Sequence, residues 1–80
     1  MATPGFPTPQ QLYTQKVAAA MIVEDRARAG QSPYWCARDA WMCAALVTHD
    51  HALADYALER AADCALRAHR EPGRATDHPA

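Results

Sequence analysis

The residue types best suited to metal chemistry lie in one short stretch, His49-Asp50-His51, followed by Asp55. His51 and Asp55 are four residues apart, which places both on one face of a helix. A structural zinc site needs four ligands, and a catalytic site needs three plus water. Two assured ligands do not make such a site, so we expect no bound metal. We interpret Thr48 or Asp50 as the cap of the following helix and His51–Asp55 as a solvent-exposed pair.

The chain has three cysteines, Cys36, Cys43 and Cys64. Cys36 and Cys43 are separated by about 10 Å along one helix, which is too far for a disulfide within the chain. The odd number of cysteines and the absence of a secretory signal pattern indicate a reducing, cytoplasmic location. We interpret all three as small buried apolar residues. Cys64 and His69 lie on different sides of a helix, so they predict no Cys–His nucleophile.

Nucleic-acid binding is not favoured by charge or by motif. Nine acidic and eight basic residues give a net charge of −1, which excludes strong electrostatic capture of nucleic acid or of an anionic membrane. A helix-turn-helix joined at Gly30 would make 33–38 the start of a recognition helix, yet Arg38 is its only basic residue. The sequence also has no phosphate-binding glycine loop, no nucleophile elbow and no segment that could span a bilayer. We therefore expect no catalytic residue and no cofactor.

The composition indicates a small helical domain that needs a partner. Half of the 80 residues are hydrophobic, but nineteen of those forty are alanine and only ten are Ile, Leu, Val or Phe. A chain this short buries a limited fraction of its surface, so a lone monomer with few large side chains would be marginally stable. We expect association with a second chain, identical or different.

The first predicted helix covers 9–29. A capping box is formed by Thr8 as the N-cap and Gln11 as the third helical residue, and Pro9 is a favoured first helical residue. Gly30 is the signal that ends the helix. The segment 17–23 is apolar in every direction, so we expect it to be covered on more than one side.

The second predicted helix covers 33–48, with Ser32 as N-cap, and it is expected to be central. One face carries Tyr34, Trp41 and Ala45; another carries Trp35, Met42 and Leu46. Either both faces belong to the core of one chain, or one of them is an intermolecular interface. A third helix, 51–70, is strongly amphipathic. We expect a break before it, because a short chain must turn back to bury itself; the alternative, since no Gly or Pro lies there, is one helix continuous with the second. Its charged side carries an acidic row of Asp55, Glu59 and Asp63.

These patterns predict an all-α, alanine-rich, three-helix up-down-up bundle that forms a homodimer. The predicted organisation is a Pro-rich arm (1–8), a three-helix domain (9–70) and a disordered tail (71–80). By elimination, we expect a small non-catalytic protein-interaction module that blocks or bridges a larger protein complex. An example would be a phage or mobile-element inhibitor of a nucleic-acid-handling host defence complex, as anti-CRISPR proteins are. The predicted partner-binding residues are Asp55, Glu59, Asp63, Tyr34, Trp35 and Trp41. The alternatives are a small dimeric DNA-binding or regulatory protein and a metal-binding helical domain.

Overall fold

Three α-helices make up the fold: α1 is Pro9–Arg28, α2 is Tyr34–Leu46 and α3 is His51–His69. A computed structural model describes Gly5 and residues 7–70, and this part of the chain contains no strand. The all-α, three-helix prediction is confirmed, with each helix end within two residues of its predicted position. The predicted arm (1–8) lies mostly outside the described residues, and the predicted tail (71–80) lies entirely outside them.

Both predicted end signals of α1 are present. The Thr8 hydroxyl accepts from the Gln11 amide at 3.1 Å, and the Gln11 side-chain oxygen accepts from the Thr8 amide at 2.9 Å. At the other end, Gly30 has a φ of 82°, a left-handed value that glycine adopts without steric cost. The amides of Gly30 and Gln31 donate to carbonyls of the last turn at 3.0 and 2.8 Å, which completes a Schellman motif.

The start of α2 differs from the prediction. Pro33 is extended, with ψ 149°, so it stands before the helix and itself occupies the N-cap position. Ser32 is therefore not the cap, and its hydroxyl is directed at the Pro33 carbonyl at 3.4 Å. The predicted break before α3 is confirmed, and Asp50 caps this helix by accepting from the amides of Ala52 and Leu53 at 2.9 and 3.2 Å.

The core is built around α2, which packs against both α1 and α3. Most buried residues are alanines, and such small side chains let helix backbones approach closely. Trp41, 1% exposed, is the largest fully buried side chain and fills the centre together with Cys64. The buried alanines are Ala20, Ala27, Ala37, Ala44, Ala45, Ala57, Ala61 and Ala68. None of the described helices combines the length and the apolar character needed to cross a membrane.

Candidate functional site

One buried carboxylate joins all three helices. Glu24, on α1, is only 3% exposed. Its carboxylate accepts from Trp41 Nε1 at 2.9 Å, from Arg28 Nη2 at 2.9 Å and from Arg60 Nη2 at 2.5 Å. A buried charge is stable only when it is paired and hydrogen-bonded, and here the donors come from α1, α2 and α3. Glu24 and Arg28 are four residues apart, a spacing that favours an ion pair on a helix, but nothing in the sequence indicates the other two partners.

Aromatic rings complete this buried cluster. The Arg60 guanidinium carbon lies 5.5 Å from the centre of the Trp41 ring, and the Tyr56 ring meets Trp41 edge-on at 5.8 Å. The hydrogen bond to Glu24 raises the pKa of Arg60, so this guanidinium stays charged at any ordinary pH. Since the polar groups of Glu24 and Trp41 are satisfied within the chain, we assign the cluster to holding the helices together.

The three aromatic residues predicted to bind a partner occupy different environments. Trp41 and Tyr34 are buried, 1% and 5% exposed, so their side chains belong to the core of the single chain. Trp35 is half-buried at the edge of α2. Its ring meets that of His69 edge-on at 5.0 Å, and the Arg38 guanidinium lies 4.7 Å from its centre. Only Trp35 of the three therefore stands where another protein can reach it.

A second apolar surface lies on the side of α2 that faces away from the core. Leu46 is 82% exposed and Met42 is 42% exposed. The charge of Asp39 is paired with Arg38, Oδ1 to Nη2, at 2.6 Å. We call this surface the outward face of α2; it consists of Cys36, Asp39, Met42, Cys43 and Leu46, with Trp35 at its edge. Of the two faces that the sequence left open, the structure buries the Trp41 face and exposes this one.

The apolar segment of α1 is less covered than predicted. Met21 and Ile22 are 55% and 54% exposed, while Ala20 is buried. The expectation that 17–23 is covered on more than one side is wrong for the single chain. The reason is that α1 packs on the other helices along one side only, through Tyr13, Ala20, Glu24 and Ala27.

The acidic row of α3 is split by its environment. Asp55 and Glu59 are exposed, whereas Asp63 is half-buried and binds Arg67 at 3.1 Å across one helical turn. Leu58 lies four residues after Ala54 and three before Ala61, a spacing that favours the buried side of α3, yet it is 47% exposed.

The metal-type residues do not converge. Asp50 is engaged in capping α3, and His49, His51 and Asp55 are exposed. Across Gly5 and residues 7–70, no three His, Cys, Asp or Glu side chains are placed to share an ion.

The cysteines also divide by exposure. Cys64 is fully buried, and burial raises the pKa of its thiol to about 11, so it stays protonated near neutral pH. Cys36 and Cys43 are exposed free thiols, so the prediction that all three are buried is wrong for these two. They lie on the outward face of α2, away from the helices that cover Trp41.

Comparisons with protein-family models, with curated proteins and with solved structures gave no match.

Proposed function

We propose that this chain is a small non-catalytic protein-interaction module that binds another protein through the outward face of α2. The observation that carries the proposal is the 82% exposure of Leu46 on a helix whose opposite side holds Trp41 in the core. A helix that is fixed by its own core presents side chains at little further conformational cost on binding.

The chemistry of the outward face defines the kind of partner. Trp35, Met42 and Leu46 recur at helical spacing, which is the pattern of a helix that lies in an apolar groove. Because Asp39 is already paired with Arg38, the face offers little net charge to attract a charged surface. The complementary surface is therefore an apolar groove, and binding there would block or bridge a larger complex. In its narrower form, the proposal is that this chain is a phage or mobile-element inhibitor of a host defence complex, as anti-CRISPR proteins are.

Two finer features of the architecture belong to the proposal. An up-down-up order of helices is supported by the contact of Trp35, in the first turn of α2, with His69, in the last turn of α3. It is also supported by the Tyr13 hydroxyl, near the start of α1, which donates to the Leu53 carbonyl near the start of α3 at 2.9 Å. Self-association is supported by the scarcity of large buried side chains and by exposed Leu, Ile and Met residues.

The DNA-binding alternative receives less support from the charges. Arg28, Arg38, Arg60 and Arg67 all bind carboxylates within the fold. Cations that are already paired contribute less to the capture of phosphates. A mobility-shift titration at low salt tests this alternative, and a steep salt dependence of binding would favour it over the protein-binding proposal.

Photo-crosslinking tests the proposed function. A photoreactive amino acid replaces Leu46 in one variant and Gln15, an exposed polar residue of α1, in the matched control. In cells that naturally carry the chain, we expect one protein to crosslink at position 46 and not at position 15. With that protein purified, Leu46→Ser with Met42→Ser should weaken binding at least about tenfold, and Gln15→Ser should not. Equal crosslinking at both positions, or unchanged affinity of the double variant, would overturn the proposal.

A further inference from the structure

An exposed apolar row follows α3 on the side away from the core. Leu58 and Leu66 are 47% and 56% exposed, and Ala62, also exposed, lies midway between them at four-residue spacing. The buried residues of the same helix, Ala57, Ala61, Cys64 and Ala68, form a separate arc. We call Leu58, Ala62 and Leu66 the outer row of α3.

Charges of opposite sign stand at the two ends of the outer row. Asp55 and Glu59 are exposed near its N-terminal end, and His69 and Arg70 are exposed near its C-terminal end. Within residues 7–70, none of the ion pairs involves Asp55, Glu59 or Arg70. The row is thus apolar in the middle, acidic at one end and basic at the other, where Arg70 carries the charge.

We infer that the outer row binds the outer row of a second copy of this chain, antiparallel, about a two-fold axis at Ala62. Residues at equal distances before and after position 62 then face each other. Leu58 lies opposite the second copy's Leu66, and Asp55 lies opposite the second copy's His69 with Arg70 beside it. A small side chain at the axis lets the two helices approach closely. The antiparallel arrangement joins opposite charges at both ends, which a parallel arrangement would not do.

This charge arrangement is the reason to assign a second copy to the row. The acidic end alone would attract any basic surface, and the basic end alone would attract any acidic one. A surface with an acidic end, an apolar centre and a basic end is complementary to a second copy of the same surface turned end to end. The inference rests on the proposed self-association and names its surface, but it does not depend on the partner that binds α2.

The size of the surface sets the expected strength of the dimer. A helix of 19 residues is about 28 Å long. One face of that length offers less than the roughly 800 Å² per partner of a standard stable interface. We therefore expect a dimer that dissociates on dilution and weakens at high salt, because the terminal charge pairs are exposed to solvent.

Solution mass over a range of concentrations and salt tests the inference. We expect the native chain to approach twice 8.8 kDa as its concentration rises. Ala62→Arg should raise the dissociation constant at least about tenfold by placing a charge on the axis, and it should not disturb the fold because Ala62 is exposed. The matched control is Ala18→Arg, which adds the same charge at an exposed alanine of α1 and should dimerise as the native chain does.

A charge exchange tests the antiparallel order. Asp55→Arg with Glu59→Arg leaves only basic ends, and His69→Glu with Arg70→Glu leaves only acidic ends. Each double variant should be monomeric alone, and an equimolar mixture should form a heterodimer. Circular dichroism tests whether both double variants remain folded. If His69→Glu unfolds the chain because the contact between His69 and Trp35 is lost, the single variant Arg70→Glu replaces that double variant.

The outcomes separate this inference from the proposed function. A native chain that stays monomeric up to about 1 mM, where even weak pairs assemble, overturns both the inference and the proposed self-association. It leaves the proposed binding through α2 untouched. A native dimer that is unaffected by Ala62→Arg overturns only the assignment to α3. Double variants that stay monomeric when mixed overturn the antiparallel order.

Discussion

The two faces of α2 carry similar residues but occupy opposite environments. Trp41 is 1% exposed, and its indole N–H donates to a buried carboxylate. Trp35, six residues earlier, stands half-buried at the edge of a face on which Leu46 is 82% exposed. Both faces are apolar, so composition alone does not separate them. The difference is that Glu24 from α1 and Arg60 from α3 meet on the Trp41 side, whereas among the described residues the other face is left largely exposed.

The largest expected difference between the faces is in stability. Trp41→Ala should lower the free energy of unfolding by about 3–5 kcal/mol, because it opens a cavity in a core that is otherwise mostly alanine. Urea denaturation measures this loss, and Trp35→Ala is the matched control on the other face. If Trp41→Ala does not fold, Trp41→Phe, which keeps an aromatic ring at this position, is measured in its place. An equal loss for Trp35→Ala would contradict the assignment of the two faces.

The buried carboxylate should matter nearly as much as the ring it holds. Glu24→Ala should lower the free energy of unfolding by about 3 kcal/mol, because it leaves the Arg60 guanidinium without its carboxylate and the Trp41 N–H without an acceptor. Chemical denaturation measures the loss. The neighbouring Asp25→Ala removes only an exposed pair with Arg28 and should cost less than about 1 kcal/mol. Similar losses for the two variants would contradict a central role for Glu24.

The buried thiol should make stability fall at alkaline pH. The pKa of Cys64 is raised from 9.0 to about 11 by burial, so the unfolded chain loses this proton before the folded chain does. The free energy of unfolding should therefore decrease as pH rises from about 9 to 11, by at most about 1.4 kcal/mol per pH unit from this group. Denaturation at several pH values measures the slope.

Two variants isolate the contribution of Cys64 to that slope. Cys64→Ala should flatten the decline, and Cys36→Ala, which removes an exposed thiol, should keep it. Burial also raises the pKa of Tyr13 above its ordinary value of 10.0, which adds a decline of the same sign that overlaps this pH range. An unchanged slope in Cys64→Ala would mean that the folded chain ionises this thiol as readily as the unfolded chain does.

The smallest expected effect lies on the outward face. Leu46→Ser should change the free energy of unfolding by less than about 0.5 kcal/mol, since this side chain is already in water. Thermal and urea unfolding measure this change. A loss above about 2 kcal/mol would show that Leu46 packs against the fold and is not available to a partner.

Local signals in the sequence predicted the helices well. The Thr8–Gln11 capping box and Gly30 set the ends of α1, because caps depend on residues that are close in the chain. The sequence pattern predicts Pro33 as the first helical residue, whereas the structure has it as the N-cap. The proline ring fixes φ but not ψ, and ψ decides between these two positions.

The candidate surfaces were only partly predictable. Spacing separated the two faces of α2, but choosing the buried one required knowing where α1 and α3 lie. The pairing of Glu24 with Arg60 joins residues 36 positions apart, and a single sequence carries no signal for such a contact. The charged residues at the two ends of the outer row of α3 can be read from the sequence. Whether they border an exposed surface depends on which side of α3 faces the core.

The reactivity of the three thiols tests the two-faced description of α2 most directly, because the chain carries natural reporters on both sides. Cys36 and Cys43 lie on the outward face, and Cys64 lies in the core. Under native conditions, a thiol reagent should modify Cys36 and Cys43 rapidly, at rates independent of protein concentration, and Cys64 only as the chain unfolds. Rapid modification of Cys64 would contradict the assigned core. Protection of Cys43 that grows with protein concentration would contradict a free outward face, because it would place the contact between copies on α2.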